Sequence, residues 1–122
     1  MSRYIILILF FSLISFGCKQ PATIENSEAM KLLENDNYYF LDVRTLKEHN
    51  NKSIPNTACI PVQEIEQRIE EIDQYKNKKI IVYCRSGNRS GIATKILNQN
   101  GFDAYNMLGG MNGWKGEVTQ KR

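Results

Sequence analysis

Between residues 22 and 116 the apolar positions fall into short dense runs that alternate with segments in which they recur every three or four residues. Dense runs bounded by polar or glycine-containing sequence read as buried strands, whereas the wider spacing gives a helix one apolar face. Strands are therefore predicted over residues 39–43, 58–60, 80–83 and 104–107. A helix is predicted to begin at Asn26 or Ser27, either of which can cap it, with Ala29, Met30, Leu32 and Leu33 on its buried face. A short helix and loop follow Arg44. Val62, Ile65, Ile69 and Ile72, spaced three, four and three apart, predict an amphipathic helix, and Ile92, Ala93, Ile96 and Leu97 predict another. Strands joined by helices belong to the α/β class: three layers, with a central, mostly parallel sheet covered by helices on both faces.

The 122 residues suit one domain, large enough to bury a core without disulfides. The beginning of the chain follows different rules. Arg3 precedes an apolar run from Tyr4 to Phe16 that is too short, and too soon followed by polar sequence, for a membrane-spanning helix; it has the layout of an export signal. Ser15-Phe16-Gly17-Cys18 then resembles a bacterial lipoprotein cleavage site, although Phe16 stands where a small residue is preferred. The expected organisation is a signal peptide over residues 1–17, a lipidated Cys18 and short tether over 18–21, and a folded domain over 22–122. Such a protein is exported to the bacterial cell envelope, periplasmic or at the cell surface, with the lipid as its only membrane attachment. Plain secretion and an uncleaved signal anchor are the alternatives. Cleavage before Cys18 removes Arg3 alone among the charged residues, so 16 basic and 13 acidic residues become 15 and 13. A domain this close to neutral carries no signature of nucleic-acid binding.

Candidate chemistry concentrates in Val82-Tyr83-Cys84-Arg85-Ser86-Gly87-Asn88-Arg89-Ser90. Cys84 sits where a strand gives way to a glycine-containing loop and then a helix, the place where an open α/β sheet holds its ligand. A loop curling around Cys84 can turn the N–H groups of Arg85 through Ser90 toward the sulfur, and Gly87 supplies the backbone freedom for such a curl. The product is an anion cradle. A free thiol has a pKa of about 8.5 and is a poor nucleophile near neutrality. One charge-assisted hydrogen bond contributes roughly 1.5–3 kcal/mol, and one pKa unit corresponds to about 1.4 kcal/mol, so two or three aimed amides make Cys84 largely a thiolate. Arg85 and Arg89 add permanent positive charge able to bind an oxyanion, or else to pair with a carboxylate or cap a carbonyl. A cysteine at a strand end is often simple packing. The arginine, serine, glycine, asparagine and arginine that follow at once point instead to a catalytic or sulfur-carrying role.

The sequence from Cys84 to Ser90 resembles the active-site loop of single-domain rhodaneses, the thiosulfate-type sulfurtransferases. Leu41-Asp42-Val43-Arg44 resembles that family's strand-end Asp-Val-Arg, Ile54-Pro55-Asn56-Thr57-Ala58-Cys59-Ile60-Pro61 its Ile-Pro-Gly-Ala-x-x-Ile-Pro turn, and Leu108-Gly109-Gly110-Met111-Asn112-Gly113-Trp114 its Gly-Gly-x-x-x-Trp closure. The resemblance implies a rhodanese-like domain and a two-step transfer. The Cys84 thiolate takes the outer sulfur of a thiosulfate-like donor, becomes a persulfide and passes that sulfur to a thiol or cyanide acceptor. It implies that the loop amides hold the persulfide, that Arg85 and Arg89 bind the anionic part of the donor, and that Asp42 and Arg44 support the loop region. A monomer without metal or organic cofactor is expected, its partners being the small-molecule donor and acceptor.

His49, the only histidine, falls where the family usually has an aromatic residue, and Lys52-Ser53 replace its Gly-His. A cysteine–histidine pair is therefore not indicated, and the pocket rim departs from the family's. Cys59, on a predicted core strand, reads as packing; a disulfide with Cys84 is conceivable in an oxidising compartment but would disable the mechanism. Trp114 reads as core or as an aromatic lid. Two rival functions stay open. One is a phosphatase or arsenate reductase of the same fold; such relatives place five residues between cysteine and arginine, whereas four separate Cys84 from Arg89. The other is a non-catalytic sulfur carrier or interaction domain.

Overall fold

The computed structural model describes residues 22–121. The export-signal run, Cys18 and its tether lie outside them. Among the described residues no helix is long and apolar enough to cross a membrane.

Five strands form a parallel sheet in the order β1 (Thr23–Ile24), β6 (Asp103–Met107), β5 (Lys79–Tyr83), β2 (Tyr38–Asp42), β4 (Ala58–Cys59). The register runs Leu41 beside Val82 and Val82 beside Asn106, which puts the carboxyl ends of β2, β5 and β6 side by side. Side chains alternate across the sheet. Leu41, Val43, Ile80 and Val82 pack on one face with Ala93 and Leu97 of α3 (Asn88–Gln99) and with Ile65 and Ile72. Phe40, Ile81, Tyr83 and Met107 pack on the other with Ala29 of α1 (Asn26–Lys31) and with Trp114, which follows α4 (Gly110–Gly113). The α/β class and the three layers are as expected. Trp114 is core, its Nε1–H donating to the Glu117 carbonyl at 2.9 Å, and it is no lid.

Three local expectations are corrected. The segment with Val62, Ile65, Ile69 and Ile72 is two 3-10 turns, Val62–Glu64 and Ile69–Tyr75, rather than one α-helix. A three-residue and a 3.6-residue period share their i, i+3 contacts, so the apolar face survives while the hydrogen bonds tighten. Met30 and Ile92, expected on buried faces, are exposed. Neither Asn26 nor Ser27 caps α1; Glu25 occupies that position without a side-chain bond, and Asn26 Nδ2 donates instead to the carbonyls of Leu108 (3.1 Å) and Gly110 (2.8 Å). Outside the main sheet, α2 (Leu46–Asn51) leads into β3 (Lys52–Ser53), which pairs antiparallel with β7 (Thr119–Gln120).

Candidate active site

Cys84 leaves β5 at the centre of the sheet, and the loop that follows closes on its own sulfur. Gly87 takes φ 108°, a left-handed conformation that a residue with a Cβ rarely adopts, and thereby starts α3. Its N–H donates to Cys84 Sγ at 3.1 Å, and the Ser90 hydroxyl lies 3.2 Å from the same atom. Burial would push the Cys84 thiol up; the Ser90 hydroxyl together with the amides of Ser90, Gly87 and Ser86 outweighs it and holds the thiol below its ordinary value. Replacing Ser90 with alanine is expected to raise that pKa and slow alkylation of Cys84 by iodoacetamide at pH 7 about tenfold, one lost hydrogen bond of about 1.4 kcal/mol. The rate measured against pH checks it: the wild-type profile should level off at lower pH than the variant's.

Cys84 exposes only 1% of its surface. The thiol is thus buried beneath its own loop. Beside the loop lies a depression of about 330 Å³, bordered by Arg85 and by Met111 and Asn112 of α4. The α4 segment is bonded directly to the cysteine's peptide, Met111 N donating to the Cys84 carbonyl (2.9 Å) and Asn112 N to the Arg85 carbonyl (3.0 Å).

The structure separates the two loop arginines. Arg89 grips Glu48 of α2 with both terminal nitrogens, at 2.7 and 3.0 Å, while Arg85 is exposed at the edge of the depression. The Arg89 bonds bring the Glu48 carboxyl down to about 2, with the Thr45 cap of α2 adding to the effect. Because that folded value lies below the ordinary one, the clasp contributes stability above the usual carboxylate range and loses it as pH falls toward 2. Asn88 is exposed at the first turn of α3.

Asp42 and Arg44 form a buried ion pair beneath α2 and β3. Arg44 Nη2 and Nε donate to Asp42 Oδ2 at 2.7 and 3.1 Å, Nε also to Oδ1 at 3.0 Å, and Nη2 to the Lys52 carbonyl at 2.7 Å. His49 Nδ1 lies 2.9 Å from Asp42 Oδ2. Donor atoms of Asp42, His49 and Cys59 come within 4.8 Å of one another. The guanidinium already seated on Asp42 repels a cation there, and burial and the Asp42 charge push the Cys59 thiol up to about 12, away from the thiolate a metal takes. Cys59 and Cys84 are free thiols on strands two apart in the sheet, roughly 10 Å, too far for a disulfide.

Two residues that the sequence marked only as strand and turn hold the loop in shape. Asn106, buried on β6, donates from Nδ2 to the Gly87 carbonyl (3.1 Å) and accepts from the Ser90 hydroxyl at Oδ1 (2.6 Å). A polar residue set between Tyr105 and Met107 in β6 was the available signal. Gly110, at φ 51°, has its Cα pressed on the Cys84–Arg85 peptide: a Cβ there would overlap the Cys84 carbonyl oxygen and lie 2.7 Å from the Arg85 carbonyl carbon.

A family model described as the rhodanese-like domain matches residues 25–117. The chain belongs to the rhodanese-like family. It is 35% identical over 91 residues to a putative sulfurtransferase, YtwF, of Bacillus subtilis, covering 75% of this chain and 86% of that one. It is 30% identical over 73 residues to the thiosulfate sulfurtransferase PspE of Escherichia coli, covering 60% and 70%. Among solved structures, a rhodanese-like domain protein from Staphylococcus aureus superposes with a TM-score of 0.73 at 32% identity, covering 83% of this chain and 99% of that one. A rhodanese-related protein from Thermoplasma volcanium gives 0.75 at 28%, covering 82% and 99%. This rhodanese-like domain keeps the carboxyl-end placement of its cysteine and the parallel sheet beneath it.

Proposed function

We propose that this rhodanese-like protein is a sulfurtransferase in which Cys84 carries sulfur as a persulfide. The observation that carries the proposal is a single sulfur at the end of the central strand that accepts the Gly87 N–H at 3.1 Å and has the Ser90 hydroxyl within hydrogen-bond distance at 3.2 Å. Such a ring favours the charged sulfur and has the same use for the persulfide anion that follows. The thiolate attacks the outer sulfur of a thiosulfate-like donor, the donor's S–S bond breaks, and sulfite leaves with the electron pair. An acceptor thiolate or cyanide then attacks the outer sulfur, and Cys84 leaves as thiolate. Four residues between Cys84 and Arg89, with Arg89 turned onto Glu48, favour a ring around one sulfur atom over a seat for a tetrahedral phosphoryl group. On the same reading of the sequence the protein acts in the cell envelope, tethered through Cys18.

The test is the intact mass of the full chain, purified in detergent, after treatment with thiosulfate. A gain of one sulfur atom, removed by cyanide with release of thiocyanate and absent in Cys84→Ser, is the expected result. An unchanged mass together with hydrolysis of phosphate esters would sink it.

A further inference from the structure

Four charged side chains border the depression beside the Cys84 loop, and they are not equivalent. Glu48 is neutralised by Arg89, and Arg44 by Asp42. Arg85 and Lys52 are exposed, and among the described residues neither lies in an ion pair. They come from different elements, Arg85 from the loop and Lys52 from the start of β3, and Asn51 and Asn112 add amide groups along the same wall. A concavity of about 330 Å³ bordering the residue after the nucleophile therefore holds two uncompensated cations.

We propose that this depression binds the carboxylate of a small thiol that accepts sulfur from Cys84, so that the preferred acceptor belongs to the mercaptocarboxylate class. The proposal rests on the persulfide reading above. With its carboxylate held between Lys52 and Arg85, the acceptor presents its thiolate to the outer sulfur of the Cys84 persulfide. A new S–S bond forms on the acceptor, the old one breaks with its electron pair remaining on Cys84 Sγ, and the acceptor leaves as a persulfide; no external oxidant or reductant enters.

The experiment uses the full chain in detergent, loaded with thiosulfate and mixed with 3-mercaptopropionate, 2-mercaptoethanol or cysteamine at equal thiolate concentrations. The anionic acceptor is expected to react about three- to tenfold faster than the neutral one, the range set by one or two exposed charge contacts, with the cationic acceptor slowest. Within each variant the ratio of anionic to neutral rates should fall toward one in Lys52→Gln, invert in Lys52→Glu and survive in Lys52→Arg. A readout independent of turnover is the backbone amide resonances of Asn51, Lys52 and Asn112, which should shift saturably with unreactive 3-(methylthio)propionate and not with 2-(methylthio)ethanol. Equal rates for the acceptors, with Cys84 still loading, would overturn the acceptor assignment and leave the persulfide reading intact. So would Lys52 variants that alter only the loading by thiosulfate. Saturable shifts in a chain whose Cys84 never gains sulfur would keep the carboxylate site and remove the transfer reading.

Discussion

Asp42→Ala is expected to lower the free energy of unfolding by about 3–5 kcal/mol, read as a drop in the denaturant midpoint. Asp42 is fully buried and Arg44 is 6% exposed, so removing the carboxylate strands a guanidinium where water cannot reach it freely. The same carboxylate also accepts from the Arg44 amide at 3.0 Å and holds His49, so β2, α2 and β3 lose a common anchor at once. A surface pair would contribute no more than about 1 kcal/mol, and a loss of that size would refute the buried-anchor interpretation. The double variant Asp42→Ala/Arg44→Met separates the causes. It should recover most of the loss, because the uncompensated charge, and not the missing attraction, makes the single variant costly.

Gly110→Ala should reduce sulfur transfer about a hundredfold while the protein still folds, at a stability cost of roughly 2–4 kcal/mol. One methyl group at this position overlaps the Cys84 carbonyl oxygen and crowds the next peptide, and the backbone at φ 51° is itself unfavourable for alanine. The collision cannot be relieved by rotating a side chain, because its partners are main-chain atoms. The Cys84–Arg85 peptide must move, and with it the amides aimed at the sulfur. Measuring sulfur loading by mass alongside thermal unfolding distinguishes displacement from collapse. A variant with wild-type loading would show that α4 does not position the loop. Gly101→Ala is the control: its φ of 85° carries the same backbone strain with no atom within 4 Å, so it should lose stability and keep loading.

The class of fold and the cysteine loop at the strand end were legible because both are written locally. A run of β-branched residues ending in Cys84, a glycine two residues beyond Arg85 and a helical face after Ser90 are contiguous signals, each reporting on its own segment. Less legible was everything joined across distance. β1, β3 and β7 have two residues each, too few to show a period, and exist because a partner strand pairs with them. Asn26 satisfies a local rule as a helix cap, yet its amide serves the Leu108 and Gly110 carbonyls, a tertiary demand that overrides the local one. Arg89 presented the same charge in the sequence whether it faced a substrate or Glu48, and only the placement of Glu48 on α2 within its reach decides between them. Arg85, with the same charge, is exposed.

The Ser90 hydroxyl has one proton and two claimants. In the neutral thiol state that proton belongs to Asn106 Oδ1, 2.6 Å away, and Asn106 in turn fastens the Gly87 carbonyl, so strand and loop are laced together over a covered sulfur. An ionised sulfur is a stronger acceptor than a thiol and competes with Asn106 for that proton. Asn106 Nδ2 holds the Gly87 carbonyl in either case. One hydroxyl thus ties the charge state of the sulfur to the bond between β6 and the loop, without any further side chain.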